Sequence, residues 1–177
     1  MAKLGVGILI IPQKPWEAVA AELGEYRTIY RDVNGTDAPA PIAAGWCLCD
    51  SDAGRAEERA RQWINGYWGT AMRHYEFAGE HWAKTKGYEY YAAMGAAPRT
   101  PEMDDFFLNL QIWGTPEQCY ERVMKIRDTV GQDHFVGVFS YAGMPYDEAE
   151  ASARLFAREV MPELKRVGIA TRAAAAS

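Results

Sequence analysis

The chain has 177 residues, 49% of them apolar and 24% charged, with a formal net charge of −5 and a pI near 5.3. That length sustains one domain with a sizeable core, and that apolar share excludes a disordered chain. The acidic balance argues against nucleic acid or an anionic membrane surface as partner, and no apolar run reaches the roughly 18–20 residues of a membrane span.

The opening MAKLGVGILIIPQ runs into Pro-Gln-Lys-Pro rather than a small-residue cleavage site, so it does not read as a signal peptide. Val6 to Ile11 is an apolar run expected to be a buried strand, ended by Pro12. Pro15 suits the first turn of a helix. Trp16, Val19, Ala20, Leu23, Tyr26, Tyr30 and Val33 then keep helical spacing up to the stop signal Asn34-Gly35. After a Pro/Ala linker from Thr36 to Pro41, Ile42 to Leu48 reads as a second strand. Asp50 or Ser51 is expected to cap a helix from about Ala53, interrupted at Gly66, Gly69 and Gly79 and rich in aromatics: Trp63, Tyr67, Trp68, Tyr75, Phe77 and Trp82.

Thr85 to Glu102 is irregular, and Phe106 to Trp113 reads either as a strand-like connection or as a helix end. Thr115-Pro116-Glu117-Gln118 is a helix start, with Thr115 and Gln118 as the two halves of a capping box. That helix carries Tyr120, Val123 and Ile126 on one face and stops near Gly131. Phe135 to Phe139 is expected to be a strand buried on both faces. A turn from Ser140 to Pro145 leads to a helix capped by Asp147 with Glu150, its apolar face formed by Ala149, Ala153, Phe156, Val160 and Leu164. The Ala-rich end, 169–177, reads as a disordered tail. Three βα units in this order point to an α/β fold with a parallel sheet, too few strands to close a barrel alone.

Chemistry in such folds sits at the C-terminal ends of the strands. Gln13 and Lys14 there can bind a substrate or an anionic group; the alternative is a solvated loop. Trp46 can wall a pocket or belong to the core. Tyr141 and Met144 flank the last turn. Cys47, Cys49 and Cys119 are an odd set with no disulfide framework, which suits a reducing cytoplasm. Cys47 and Cys49 are expected on opposite sides of their strand, as buried small hydrophobes and not as ligands of one metal ion. His74 and His81, seven apart, lack the i, i+4 spacing of a metal pair. No Ser-His-Asp order, G-x-S-x-G, Walker loop or C-x-x-C occurs. Trp82 and Tyr88 to Tyr91 read as a lid over an apolar substrate or as a packing cluster.

Four pieces of sequence carry a family likeness: Ala2-Lys3-Leu4-Gly5-Val6-Gly7, Gly114-Thr115-Pro116-Glu117-Gln118, His134-Phe135-Val136, and Phe156-Ala157-Arg158-Glu159-Val160-Met161-Pro162-Glu163-Leu164. Together they resemble the C-terminal part of luciferase-like flavin-dependent monooxygenases. The resemblance implies an α/β fold, a partial TIM-type (β/α)₈ barrel comprising the last three βα units with a helical, aromatic-rich insertion at about 63–113. The barrel portion spans 1–168. It implies FMN or coenzyme F420 as cofactor with no metal, a small organic substrate oxidised with O₂, a flavin reductase as possible partner, and a homo-oligomer. Much of the family's flavin contact, including a phosphate-binding turn, precedes the point matching Met1, so this stretch is expected to be a fragment not catalytic alone. The other reading is a non-catalytic α/β module acting by self-association or by completing a partner's barrel. Alkanesulfonate-type members carry Gly-Tyr-Pro-His after the last strand, with the tyrosine in the active site; here Gly143-Met144-Pro145-Tyr146 replaces that tyrosine with a thioether, and the resemblance implies a substrate pocket lined by Tyr141 and Met144.

Overall fold

The computed structural model of the protein describes residues 1–76, 79–96 and 99–167. Phe77, the side chain of Tyr90 and the tail lie outside them. A 3-10 turn at Ala2–Leu4 leads to β1, which covers only Leu9–Ile10 of the expected run. Helix α1 (Trp16–Asn34) follows, preceded by Pro15 and closed by Gly35, whose φ of 71° lets its N–H reach Arg31 O. Trp16, Val19 and Leu23 form its buried stripe, while the Tyr26 and Tyr30 hydroxyls donate to Val6 O and Gly5 O, tying the N-terminal segment to the helix.

Strand β2 (Ile42–Cys49) is the centre of the sheet, buried along nearly all its length. It pairs in parallel with every other strand: β1 opposite Ile42 and Ala43, β4 (His134–Val138) opposite Ile42 to Trp46, and β3 (Ile112–Gly114) opposite Cys47 to Cys49. Among the described residues the sheet therefore has four strands where three were expected. The fourth comes from the ambiguous segment, which is helix end and strand in succession.

Between β2 and β3 the chain makes a long excursion through α2 (Ala53–His74), α3 (Glu89–Ala96) and α4 (Pro101–Asn109). Helix α2 is capped by Asp52, whose side chain accepts from Arg55 N, rather than by Asp50 or Ser51. It runs unbroken through Gly66 and Gly69. At Gly69 the absent side chain leaves room for the Arg99 guanidinium, which lies where a Cβ would project, whereas a Cβ at Gly66 would make only ordinary contact with Ala142. Ala56, Ala60, Ile64 and Trp68, four apart, are its buried stripe. Gly114 leads into α5 (Pro116–Val130) with φ 131°, and a Cβ there would meet the Gln118 side chain at 2.5–2.7 Å. Gln118 is held close because it completes the capping box with Thr115.

Helix α6 (Tyr146–Glu159) starts after Pro145 with no side-chain cap; Asp147 lies inside its first turn, where a carboxylate suits the helix dipole. The expected continuation to Leu164 is interrupted at Val160, two residues before Pro162, which has no N–H to give; helix resumes over 161–167.

Side chains two apart on a strand share a face. Ala43, Cys47 and Cys49 accordingly face one core layer with Trp16, Val19 and Leu23 of α1, Cys119, Val123, Ile126 and Val130 of α5, and Phe156 of α6. This corrects the placing of Cys47 and Cys49 on opposite sides: a spacing of two puts both thiols on the same side. Trp46 and Leu48 point the other way, into a second layer with α2, Phe107 and Leu108. The last strand also departs from expectation. Val136 and Val138, opposite Ala44 and Trp46, are 45% and 37% exposed, and Leu9 and Ile11 are 53% and 51% exposed. Neither β1 nor β4 is buried on both faces, and among the described residues each is also an edge strand with a neighbour on one side only.

Candidate functional site

The C-terminal ends of the strands gather two groups of side chains. The larger surrounds Trp46. Gln111, just before β3, is 1% exposed; its Oε1 accepts from Trp46 N at 3.2 Å and its Nε2 donates to Phe107 O at 3.3 Å. The carboxamide thus serves the β2 backbone at a level that neither the two residues of β1 nor the three of β3 reach. With its backbone so fixed, the Trp46 ring packs against Tyr67 at 4.3 Å and Phe107 at 5.7 Å between centroids. Trp68 stacks on Phe107 at 4.4 Å.

Tyr141 and Met144 join this group through a tight turn. Ala142 (φ 56°) and Gly143 (φ 75°) are both left-handed, and Met144 N donates to Tyr141 O at 3.0 Å. Positive φ at an alanine is strained backbone, held here by the packing of Ala142 against the core layer that contains Trp46. The turn folds Tyr141 and Met144 inward, where both are buried. The Tyr141 hydroxyl donates to Cys47 O at 3.1 Å, and burial pushes its pKa well above the usual phenol range. Tyr141 is a neutral hydrogen-bonding group at physiological pH. Tyr146, by contrast, is 85% exposed and turns away.

Beside Met144 opens a cleft of about 380 Å³, with Leu48, Met144 and Leu155 on its apolar side and Asp50, Arg55, Arg59 and Glu148 on its polar side. Asp50 sits at the end of β2, 7% exposed. It accepts from Arg55 Nε at 2.8 Å and Nη2 at 2.5 Å, from Arg59 Nη1 at 3.2 Å and from Asp52 N at 3.0 Å. The Arg55 hydrogen bonds hold its carboxyl below the usual carboxylate range. Arg59 reaches on to Glu148, which also accepts from Trp63 Nε1 at 3.3 Å. This chain of contacts ties α2 to the start of α6. Sequence reading passed over it because Asp50 looked like a cap, although an Asp followed by Arg at five and nine residues is the available signal.

Gln13 and Lys14 lie apart from Trp46, Tyr141 and Met144. They border a second cleft of about 290 Å³ with Ile8 to Ile11, Val19, Leu23 and Tyr91. Gln13 Oε1 accepts from the Tyr91 hydroxyl, and Lys14 Nζ pairs with Glu22 at 2.5 Å. Tyr91 belongs to a cluster with Trp82 and Tyr88, all centroids within 5.8 Å, so the excursion bends back to the end of β1. His74 and His81 are both exposed, the first at the end of α2 and the second in a turn. Among the described residues no group of three or more metal-ligating side chains occurs, and no helix is long and apolar enough to cross a membrane.

The pattern that defines luciferase-like monooxygenases matches residues 1–133. The chain belongs to the luciferase-like monooxygenase family. The alkanal monooxygenase alpha chain of Aliivibrio fischeri is 26% identical over 125 residues, covering 67% of this chain and 35% of that one. The crystal structure of monooxygenase RslO1 from Streptomyces bottropensis superposes with a TM-score of 0.62 at 19% identity, over 92% of this chain and 43% of that one. The likeness to RslO1 is one of fold, an α/β arrangement with a parallel sheet. The chain spans less than half the length of either relative. Within this luciferase-like chain, the Trp46 group and the Asp50 network are the most elaborated features at the strand ends.

Proposed function

We propose that this chain is the C-terminal part of a flavin-dependent monooxygenase that oxidises a small organic substrate with O₂, and that its sheet is a section of a TIM-type barrel. The observation that carries the reading is family membership joined to an aromatic group at the strand ends. In this reading the insertion is the stretch at about 63–113, which takes in the second half of α2, then α3 and α4, and the barrel portion runs to about residue 168.

FMN, or coenzyme F420 in its place, has a planar ring system and an anionic tail. The ring has an aromatic face available at half-buried Tyr67, which Trp46, Phe107 and Tyr141 back from within the core. The tail fits less well, since Arg55, Arg59 and Lys14 are engaged by Asp50, Glu148 and Glu22. Cationic or amide contacts to a phosphate therefore have to come from elsewhere in a longer protein. When bound, a reduced flavin supplies the electrons for O₂ activation. The residues here do the protein's part: the aromatic wall excludes water, Tyr141 stays protonated, and Met144 with Leu48 offers an apolar surface to the substrate. Gln13 and Lys14 form a second polar edge that the Tyr91 segment covers as a lid.

The test is FMN titration of a protein as long as the relatives, followed by flavin fluorescence, with substrate affinity measured in the Tyr141→Ala, Met144→Ala double variant. Micromolar flavin binding and a substrate Kd weakened about tenfold or more are expected. Unchanged substrate affinity sinks the pocket assignment, and absence of flavin binding sinks the cofactor. The exposed Leu9, Ile11, Val136 and Val138 favour a second reading for the chain by itself, a module that self-associates or completes a partner barrel. Sedimentation of the isolated chain as a monomer at high concentration counts against it. A cytoplasmic location, a homo-oligomer and supply by a flavin reductase complete the proposal.

A further inference from the structure

Cys49 closes β2, and Cys119 lies near the start of α5. The excursion through α2, α3 and α4, and the strand β3 on which it returns to the sheet, lie between the two. Both side chains are buried in the same core layer, and Cys49 stands opposite Gly114 where β2 pairs with β3. Cys119 Sγ also lies 3.7 Å from Leu48 O and 3.6 Å from Gly114 O, which fixes it against the ends of β2 and β3. Cys49, unlike Cys47 and Cys119, borders the 380 Å³ cleft, so a small oxidant meets it first.

We propose that Cys49 and Cys119 form a peroxide-responsive disulfide that clamps the root of the excursion. Cys49 thiolate attacks one oxygen of hydrogen peroxide. The O–O bond breaks, Cys49 becomes a sulfenic acid, and the departing hydroxide takes up the thiol proton as water. Cys119 sulfur then attacks Cys49 sulfur; the S–O bond breaks and the hydroxide leaves with the Cys119 proton as a second water. The thiol pair loses two electrons and the peroxide gains them. Interaction with the Cys119 thiol lowers the pKa of Cys49, while the same interaction and burial raise that of Cys119, matching attacking and resolving roles. Burial also raises the Cys47 pKa, and its Sγ contacts Gly45 O at 3.6 Å, which leaves it out of the exchange.

The bond would close a loop of about 70 residues, and the denatured chain would lose the corresponding freedom. The experiment treats the reduced chain with a few equivalents of hydrogen peroxide, alkylates it in denaturant and maps peptides without reductant. The expected result is a Cys49–Cys119 linked pair, an alkylated Cys47, a thermal midpoint raised by about 5–10 °C, and slower proteolysis within the excursion, all reversed by dithiothreitol. In Cys119→Ser, Cys49 should stop at a sulfenic acid that dimedone traps. A link that includes Cys47, three unmodified thiols, or sulfinic acid at Cys49 without a link overturns the proposal.

Discussion

Replacing Asp50 with Asn leaves the shape of the side chain and removes its charge. The Asp52 N–H can still find an oxygen, but the three guanidinium hydrogen bonds, two from Arg55 and one from Arg59, lose their ionic partner. A fully buried pair broken in this way costs about 3–5 kcal/mol, and an exposed one about 0–1. Asp50 is 7% exposed while Arg55 and Arg59 are 49% and 35% exposed, so water recovers part of the loss on the arginine side. The expected destabilisation is about 2 kcal/mol, or about 4–8 °C in thermal midpoint for a chain of this size. The sign of the pH dependence follows from a carboxyl whose folded pKa is depressed. Its stabilisation is complete above the unfolded value of about 3.9 and disappears as pH falls through the lower folded value. Urea unfolding of wild type and Asp50→Asn from pH 7 to pH 3 should give a constant difference down to about pH 4.5 and a shrinking one below. A difference under about 0.5 kcal/mol at pH 7, or one that widens on acidification, refutes the reasoning.

Gln111→Leu leaves Trp46 N buried without its acceptor and should cost about 1–3 kcal/mol. Faster amide exchange at Trp46 specifically is the diagnostic signal, and unchanged exchange contradicts the role given to the carboxamide. Trp46→Ala removes a ring packed by Tyr67 and Phe107 and should cost about 3–5 kcal/mol in denaturant unfolding; a loss below about 1 kcal/mol would mean the layer collapses to fill the space. Thr115→Ala opens the capping box of α5, with an expected loss of about 1 kcal/mol. Thr115→Ser should recover most of it, and failure to do so would place the effect outside the cap.

Where local chemistry decides an element, the residues announce it. Asn34-Gly35 and Thr115-Pro116-Glu117-Gln118 carry their own stop and start geometry, and α1 and α5 lie where those signals put them. The family is legible for the same reason, since Gly114 and Gln118 are forced on each other by contact. Strand β3 was not legible: three residues are too few to show a period, and only pairing with Cys47 to Cys49 makes them a strand. The exposure of Val136 and Val138 was hidden because an apolar run says what a strand would bury and not what is present to cover it. The Asp50 network escaped because its partners stand five, nine and nearly a hundred residues away, and its meaning comes from the convergence of α2 and α6.

The Gln111 carboxamide has a consequence for how such chains vary in length. Because it locks the root of the excursion at the level of Trp46, the register of β3 on β2 does not depend on what lies between. Closing a loop of about 60 residues already carries most of its entropic cost, and doubling it adds only about 0.6 kcal/mol. Insertions and deletions in α3 or its flanking turns are then close to neutral for the sheet. This is the segment in which an engineer could graft a foreign loop, or in which natural relatives could diverge in size, without rewriting the core.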